Sequence, residues 1–252
     1  MQRRRAFTLL ELLVSIAIIV VLAVLLFAGG SKAINSSQSA ACVSRLSQLG
    51  AAANLYSAEN ASRLVPICSG TSGADSQTWR KLLLPYLGDN LSEKKAFTCP
   101  ADAISKRGPA VSTRGLTPAS YGINESGGGI MMTPYENHAF AYFQYPAVSR
   151  PVSFIKRPTS TIFMCDIGYP RNPSEDPSKW VENRAGGSAS SGYARFPNDS
   201  NFYGADPWNI YPRHAGARAN VLYFDGHVGS VDIAKDIIAH PPGDPACIYQ
   251  NN

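Results

Sequence analysis

The chain opens with a short basic leader and a long apolar run that holds one carboxylate. Arg3, Arg4 and Arg5 precede Ala6, and Phe7-Thr8-Leu9-Leu10-Glu11 begins a run that stays apolar to Ala28. A helix needs about 20 mostly apolar residues to cross the hydrocarbon core of a bilayer, and Phe7 to Ala28 supplies them. The arginines predict a cytoplasmic amino terminus. A carboxylate inside such a run costs roughly 2.5–3.5 kcal/mol on insertion scales, so Glu11 requires a partner. A cut between Ala6 and Phe7 would place a new α-ammonium one helical turn from Glu11. An ordinary secretory signal has an apolar segment of roughly 7–15 residues, shorter than this one, although Ala28-Gly29-Gly30-Ser31 has the small residues such a cut requires. A plain signal anchor accounts for the length and the arginines but leaves Glu11 unexplained.

The run leaves about 220 residues, enough for a single exported domain. Charged residues make up only 16% of the chain, and Gly 21 and Pro 18 predict a loop-rich domain rather than a helical one. Of the net charge of +5, three units belong to the leader, so the remainder carries +2 with no Lys/Arg cluster on a recognisable face. Nucleic-acid binding, which needs such a patch, is not indicated.

Between Ser31 and Asn60 there is no proline, and Leu46, Leu49, Ala53 and Tyr56 recur at helical spacing. One rod from Phe7 to about Glu59 would measure roughly 80 Å. Gly29 and Gly30 mark either a hinge in this rod or simply the membrane exit. The resulting division is a basic leader at 1–6, a transmembrane helix at 7–28, its amphipathic continuation at 29–60, and an external head at 61–252.

Arg3-Arg4-Arg5-Ala6 followed by Phe7-Thr8-Leu9-Leu10-Glu11-Leu12-Leu13-Val14 resembles the class III signal of type IV prepilins and type II secretion pseudopilins. The resemblance implies cleavage between Ala6 and Phe7 by a prepilin peptidase, N-methylation of Phe7, and docking of subunits through Glu11 and a neighbour's amino terminus. Ala6 stands where these signals usually have Gly, which implies slower processing. Further along, Cys42-Val43-Ser44-Arg45-Leu46, Phe97-Thr98-Cys99-Pro100, Ser120-Tyr121-Gly122-Ile123-Asn124 and Arg157-Pro158-Thr159 resemble steps of the pseudopilin-like families of planctomycetes and verrucomicrobia. Those families end in a His-x9-Asp-Gly motif. Here ten residues separate His214 from Asp225-Gly226.

The implied fold is α+β: a long amino-terminal helix packed on a small antiparallel sheet, with large loop insertions in a pilin-like head. The implied function is a structural, non-enzymatic subunit of a type II secretion pseudopilus or type IV pilus-like filament, held in the inner membrane with its head in the periplasm before extraction into the filament. Its partners would be the prepilin peptidase, identical or related subunits and the inner-membrane assembly platform. The alternatives are a minor tip subunit that binds a surface, glycan or DNA, and a signal-anchored envelope domain.

The remaining motifs carry little chemistry. Ala219–Phe224 and His227–Asp232 are β-prone runs around Asp225-Gly226, predicting a hairpin with a two-residue type I′ turn and His214 hydrogen-bonded at the sheet edge. His214, Asp225, His227 and Asp232 lack metal-ligand spacing, and no nucleophile elbow or phosphate loop occurs. No cofactor is indicated except through the resemblance: pseudopilins often bind Ca²⁺ in a carboxy-terminal loop, for which Asp199, Asp206 and Asp225 are the available carboxylates, without EF-hand spacing. Five cysteines (Cys42, Cys68, Cys99, Cys165 and Cys247) leave connectivity open and at least one thiol unpaired. The resemblance favours a Cys42–Cys99 bridge. Eight aromatics from Tyr169 to Tyr211, among them Trp180, Tyr193, Phe196, Phe202, Tyr203 and Trp208, predict a loop packed onto the sheet or, alternatively, a binding surface.

Overall fold

The apolar amino-terminal sequence and the alanine-rich segment after it build one helix, α1 (Leu9–Glu59), about 76 Å long at 1.5 Å per residue. It runs unbroken through Gly29 and Gly30. The computed structural model describes residues 8–69, 77–88, 92–102, 119–124, 150–168, 170–182, 192–194, 196 and 209–249. Of the described α1 side chains, the first buried one is Cys42, and Leu46, Leu49, Ala52 and Ala53 continue the stripe. Tyr56, expected on that stripe, is half-buried and meets the ring of Tyr86 edge-on at 6.1 Å. Asn60 closes the helix by donating its N–H to the carbonyls of Tyr56 and Ser57, and Ala61 and Ser62, both at positive φ, turn the chain away.

A short antiparallel pair, β1 (Cys68–Ser69) and β2 (Gln77–Thr78), leads into α2 (Trp79–Leu83), a 3₁₀ turn at Leu84–Leu87 and α3 (Glu93–Ala96). The main sheet comprises β3 (Tyr121–Asn124), β4 (Ile162–Gly168), β5 (Tyr193–Ala194), β6 (Asn209–Ile210), β7 (Arg218–Tyr223) and β8 (Val228–Asp232). Its order is β5-β3-β4-β7-β8, and β6 pairs with the end of β4. The expected antiparallel sheet holds for β3-β4-β7-β8, but β5 lies parallel to β3. A parallel neighbour requires a long return connection rather than a tight turn, and 68 intervening positions, β4 among them, give no local signal of it.

Both faces of this sheet are covered, which is why β4 reads as an almost continuous apolar run. Phe163, Met164 and Leu222 pack with Leu46, Leu49 and Trp79 on the helix side. Ile162, Cys165, Ile167 and Val221 pack on the other side with Phe196, Ile233, Ile237, Cys247 and Tyr249. The carboxy-terminal segment is therefore structural cover: Asn124 Nδ2 donates to the carbonyls of Ile162 and Tyr249, and the Tyr249 ring stacks on Phe196 at 4.6 Å. Within the aromatic stretch, Trp180, Phe196 and Tyr211 are buried in this layer. Tyr169, Phe202, Tyr203 and Trp208 lie outside the described residues.

The β7–β8 hairpin departs from the expected type I′ turn. Tyr223 N–H donates to His227 O, and Gly226 N–H donates to Tyr223 O, leaving a three-residue loop at Phe224-Asp225-Gly226. A type I′ turn needs positive φ at both central residues, whereas only Gly226 (φ 94°) has it. The geometry is a turn closed by glycine in the left-handed region, a common three-residue hairpin. A further loop follows His214: His214 and Arg218 exchange backbone hydrogen bonds around Ala215-Gly216-Ala217, with Gly216 and Ala217 at positive φ.

Candidate functional site

The first turn of α1 is closed by its own side chains. Thr8 is the N-cap, with extended backbone, and its hydroxyl accepts from Glu11 N–H at 3.3 Å. Glu11 Oε2 accepts in return from Thr8 N–H and from the Thr8 hydroxyl, both at 2.9 Å. This reciprocal capping satisfies helix-terminal donors and places the carboxylate at the positive end of the helix dipole. Glu11 is thus oriented within its own chain, while Ala6 and Phe7 lie outside the described residues.

Beyond the cap, α1 presents apolar side chains to solvent on all sides. Leu9 is 81% exposed and Val24 62%, and Leu12, Leu13, Ile16, Ile19, Val20 and Val21 between them are all more than half exposed. A patch this large is far beyond what a soluble monomer leaves uncovered and marks an interface with protein or lipid. Among the described residues, no helix is long and apolar enough to cross a membrane.

The same helix is fixed to the head 30 residues later. Cys42 and Cys99 form a disulfide with Cα atoms 5.3 Å apart, tying α1 to the turn after α3. One turn on, Arg45 Nη1 donates to the carbonyls of Lys95 and Thr98, gripping the same turn. Of the other cysteines, Cys165 and Cys247 are buried and outside the disulfide, and burial together with neighbouring Asp166 pushes the Cys165 thiol well up.

The tail residues separate into two places. His214 is not at a sheet edge: its side chain is 6% exposed, with Nε2 3.0 Å from Asp166 Oδ2 and 4.0 Å from Cys99 Sγ. Asp166, in the middle of β4, also accepts from Asn220 N–H at 2.7 Å. Asp225 and Gly226 lie at the far end of β7, about 20 Å away along a six-residue strand. There Asp225 Oδ1 faces His227 N–H at 3.1 Å and His227 Nδ1 at 2.6 Å. Partial burial raises the Asp225 carboxyl, but these His227 contacts outweigh it and hold it below the usual range. One of its oxygens, Oδ1, is thereby engaged within the turn. Asp199 and Asp206, the other carboxylates of the calcium expectation, lie outside the described residues.

Sequence reasoning missed the buried charges beside the first of these places. Arg213 Nη1 lies 3.1 Å from Asp102 and 3.3 Å from Glu182, and Ser120 Oγ donates to Asp102 at 2.7 Å. Burial alone would lower the Arg213 pKa, but Asp102, Glu182 and Asp166 hold the guanidinium firmly charged. The adjacent pair Arg213-His214 in an otherwise uncharged stretch was the available signal.

Residues 1–27 match the family model described as the prokaryotic N-terminal methylation motif. No curated protein and no solved structure matches the chain. The matched segment is a prepilin-type signal, which fits a precursor of the type IV pilin or pseudopilin class and implies a membrane-anchored, exported, structural protein.

Proposed function

We propose that this chain is a structural subunit of a pseudopilus or type IV pilus-like filament, polymerised through α1. The observation that carries the reading is the exposed apolar surface from Leu9 to Val24, preceded by a capped Glu11 inside a methylation motif. Before assembly this segment, which continues apolar in sequence to Ala28, resides in the inner membrane with the leader cytoplasmic and the head outside. A prepilin peptidase cuts between Ala6 and Phe7 and the new Phe7 amine is methylated. Incoming subunits then bury the apolar side chains against those of their neighbours. The Glu11 carboxylate pairs with a neighbour's Phe7 ammonium, because an unpaired charge in an apolar helix bundle is far costlier than a paired one. That pairing sets the axial register.

The capping box refines the test. Glu11→Gln retains an oxygen that can accept from Thr8, whereas Glu11→Ala removes that half of the capping box and the charge together. The amino terminus of membrane-extracted protein, read by mass spectrometry, is expected to be N-methyl-phenylalanine at Phe7 in wild type and in both variants. Filaments, scored by shearing and electron microscopy, are expected to be lost in both. An intact Met1, or a cut near Ala28, overturns the reading and leaves an anchored or secreted domain. Normal filaments from Glu11→Gln would show that capping, not charge, is what assembly needs.

A further inference from the structure

Cys42, Cys99 and His214 come from three separate elements, yet their ligand atoms lie within 4.8 Å of one another. Asp166 closes the group from β4, with Oδ2 3.0 Å from His214 Nε2, and its Oδ1 is buried without a hydrogen-bond partner. One detail decides what this group is suited to. In a cysteine nucleophile dyad with an orienting carboxylate, histidine uses one ring nitrogen for the sulfur and the other for the carboxylate. Here the same nitrogen, Nε2, faces both Cys99 Sγ and Asp166 Oδ2. The two sulfurs and Nε2 therefore stand close enough to share an ion, and an Asp166 oxygen lies beside Nε2.

We infer that in its dithiol form the head holds a tetrahedral Zn²⁺ between Cys42, Cys99, His214 and Asp166, an alternative to the disulfide at the same place. The sulfur–nitrogen distance fits. With Zn–S near 2.3 Å and Zn–N near 2.0–2.1 Å, tetrahedral ligands put sulfur and nitrogen about 3.6 Å apart and the two sulfurs about 3.8 Å apart. Cys99 Sγ and His214 Nε2 already stand at 4.0 Å, so the two sulfurs must part and the Asp166 carboxylate must turn toward them. Cys42 and Cys99 are fully buried and His214 and Asp166 nearly so, which makes this a closed, structural type of site. The chemistry balances without a further reactant. Two thiols lose their protons to solvent as two Zn–S bonds form, and the His214 proton moves to Nδ1. Disulfide formation instead removes two electrons and two protons from the same sulfurs to an oxidant, so each outcome excludes the other. Either one pins α1 to the turn after α3.

The test uses the full chain in detergent, reduced with a phosphine (itself oxidised to its oxide by oxygen from water), desalted anaerobically and titrated with Zn²⁺ or Co²⁺. Native mass spectrometry is expected to show one Zn²⁺ on reduced protein and none on oxidised protein. Co²⁺ is expected to give tetrahedral ligand-field bands with a sulfur charge-transfer band. Asp166→Asn is expected to weaken Zn²⁺ about 10–100-fold, and His214→Ala to weaken it at least as much, with circular dichroism reporting that each is folded. The comparison of oxidised with reduced wild type needs no variant. Absence of bound Zn²⁺ on reduced, folded protein overturns the inference. So does binding that persists in Cys42→Ala/Cys99→Ala, which would place the ion on other thiols or histidines. Neither result bears on cleavage at Phe7 or on filament formation.

Discussion

Arg213 is the residue on which the interior of the head most depends electrostatically. Its guanidinium is 4% exposed and stands between the carboxylates of Asp102 and Glu182, while Nη2 donates to the carbonyl of Ile167. A buried ion pair contributes little net stability over an apolar replacement of the whole group, but removing one partner leaves a charge with nothing to offset its desolvation. Arg213→Met is therefore expected to destabilise the head by about 3–5 kcal/mol, read as a shift in urea midpoint at unchanged slope. Asp102→Asn in the same background is expected to recover part of that loss, since the orphaned carboxylate is then neutral. If the double variant is no more stable than Arg213→Met alone, the guanidinium's packing matters rather than its charge. Its members lie up to 111 positions apart, so beyond the adjacent Arg213-His214 pair nothing local pointed to the network or to its partners.

At the scale of elements, the attachment of α1 to the head rests on a short stripe and one covalent bond. The stripe from Cys42 to Ala53 is buried against the sheet, while the disulfide closes a loop of 57 residues. A loop of that length restricts the unfolded chain by about 4 kcal/mol in the chain-entropy description. Cys42→Ala/Cys99→Ala is expected to lower the unfolding free energy of the oxidised protein by roughly that amount. A loss well under about 1 kcal/mol would mean that Arg45 and the apolar stripe hold the helix unaided. The stripe was readable from periodicity, because a helix that packs on a sheet has only one face to bury. The β7–β8 hairpin was likewise readable from its apolar runs and the Asp-Gly signal. The turn type was not, since Asp-Gly suits both a two-residue turn and a three-residue loop closed by glycine. The parallel β5 and the meeting of His214 with Asp166 depend on long-range topology, on which local sequence is silent. The pairing of Cys42 with Cys99 was suggested by family resemblance alone, as five cysteines leave connectivity undetermined.

For the whole molecule, the division of labour along α1 makes a prediction about independence. Every described side chain from Leu9 to Val24 is exposed or half-exposed, and burial against the head begins only at Cys42. The head therefore gains nothing from the apolar segment, and that segment's exposed side chains are the surface another subunit or a lipid must cover. A chain beginning at Ala33 is expected to be soluble and monomeric without detergent. Its urea transition should lie within about 0.5 kcal/mol of the full-length protein's, the range expected for changes that touch no packed feature. It should retain the Cys42–Cys99 bridge, shown by the mass difference on reduction and alkylation, because every residue that positions that bridge remains. Removal of Leu46 and Leu49 from contact, by changing both to Ser in the shortened chain, is expected to collapse the transition, since these two fill the space between helix and sheet. If the shortened chain instead aggregates or melts early, the apolar segment contributes to the folded head. The exposed surface from Leu9 to Val24 would then be intramolecular in solution, and filament assembly would first have to release it.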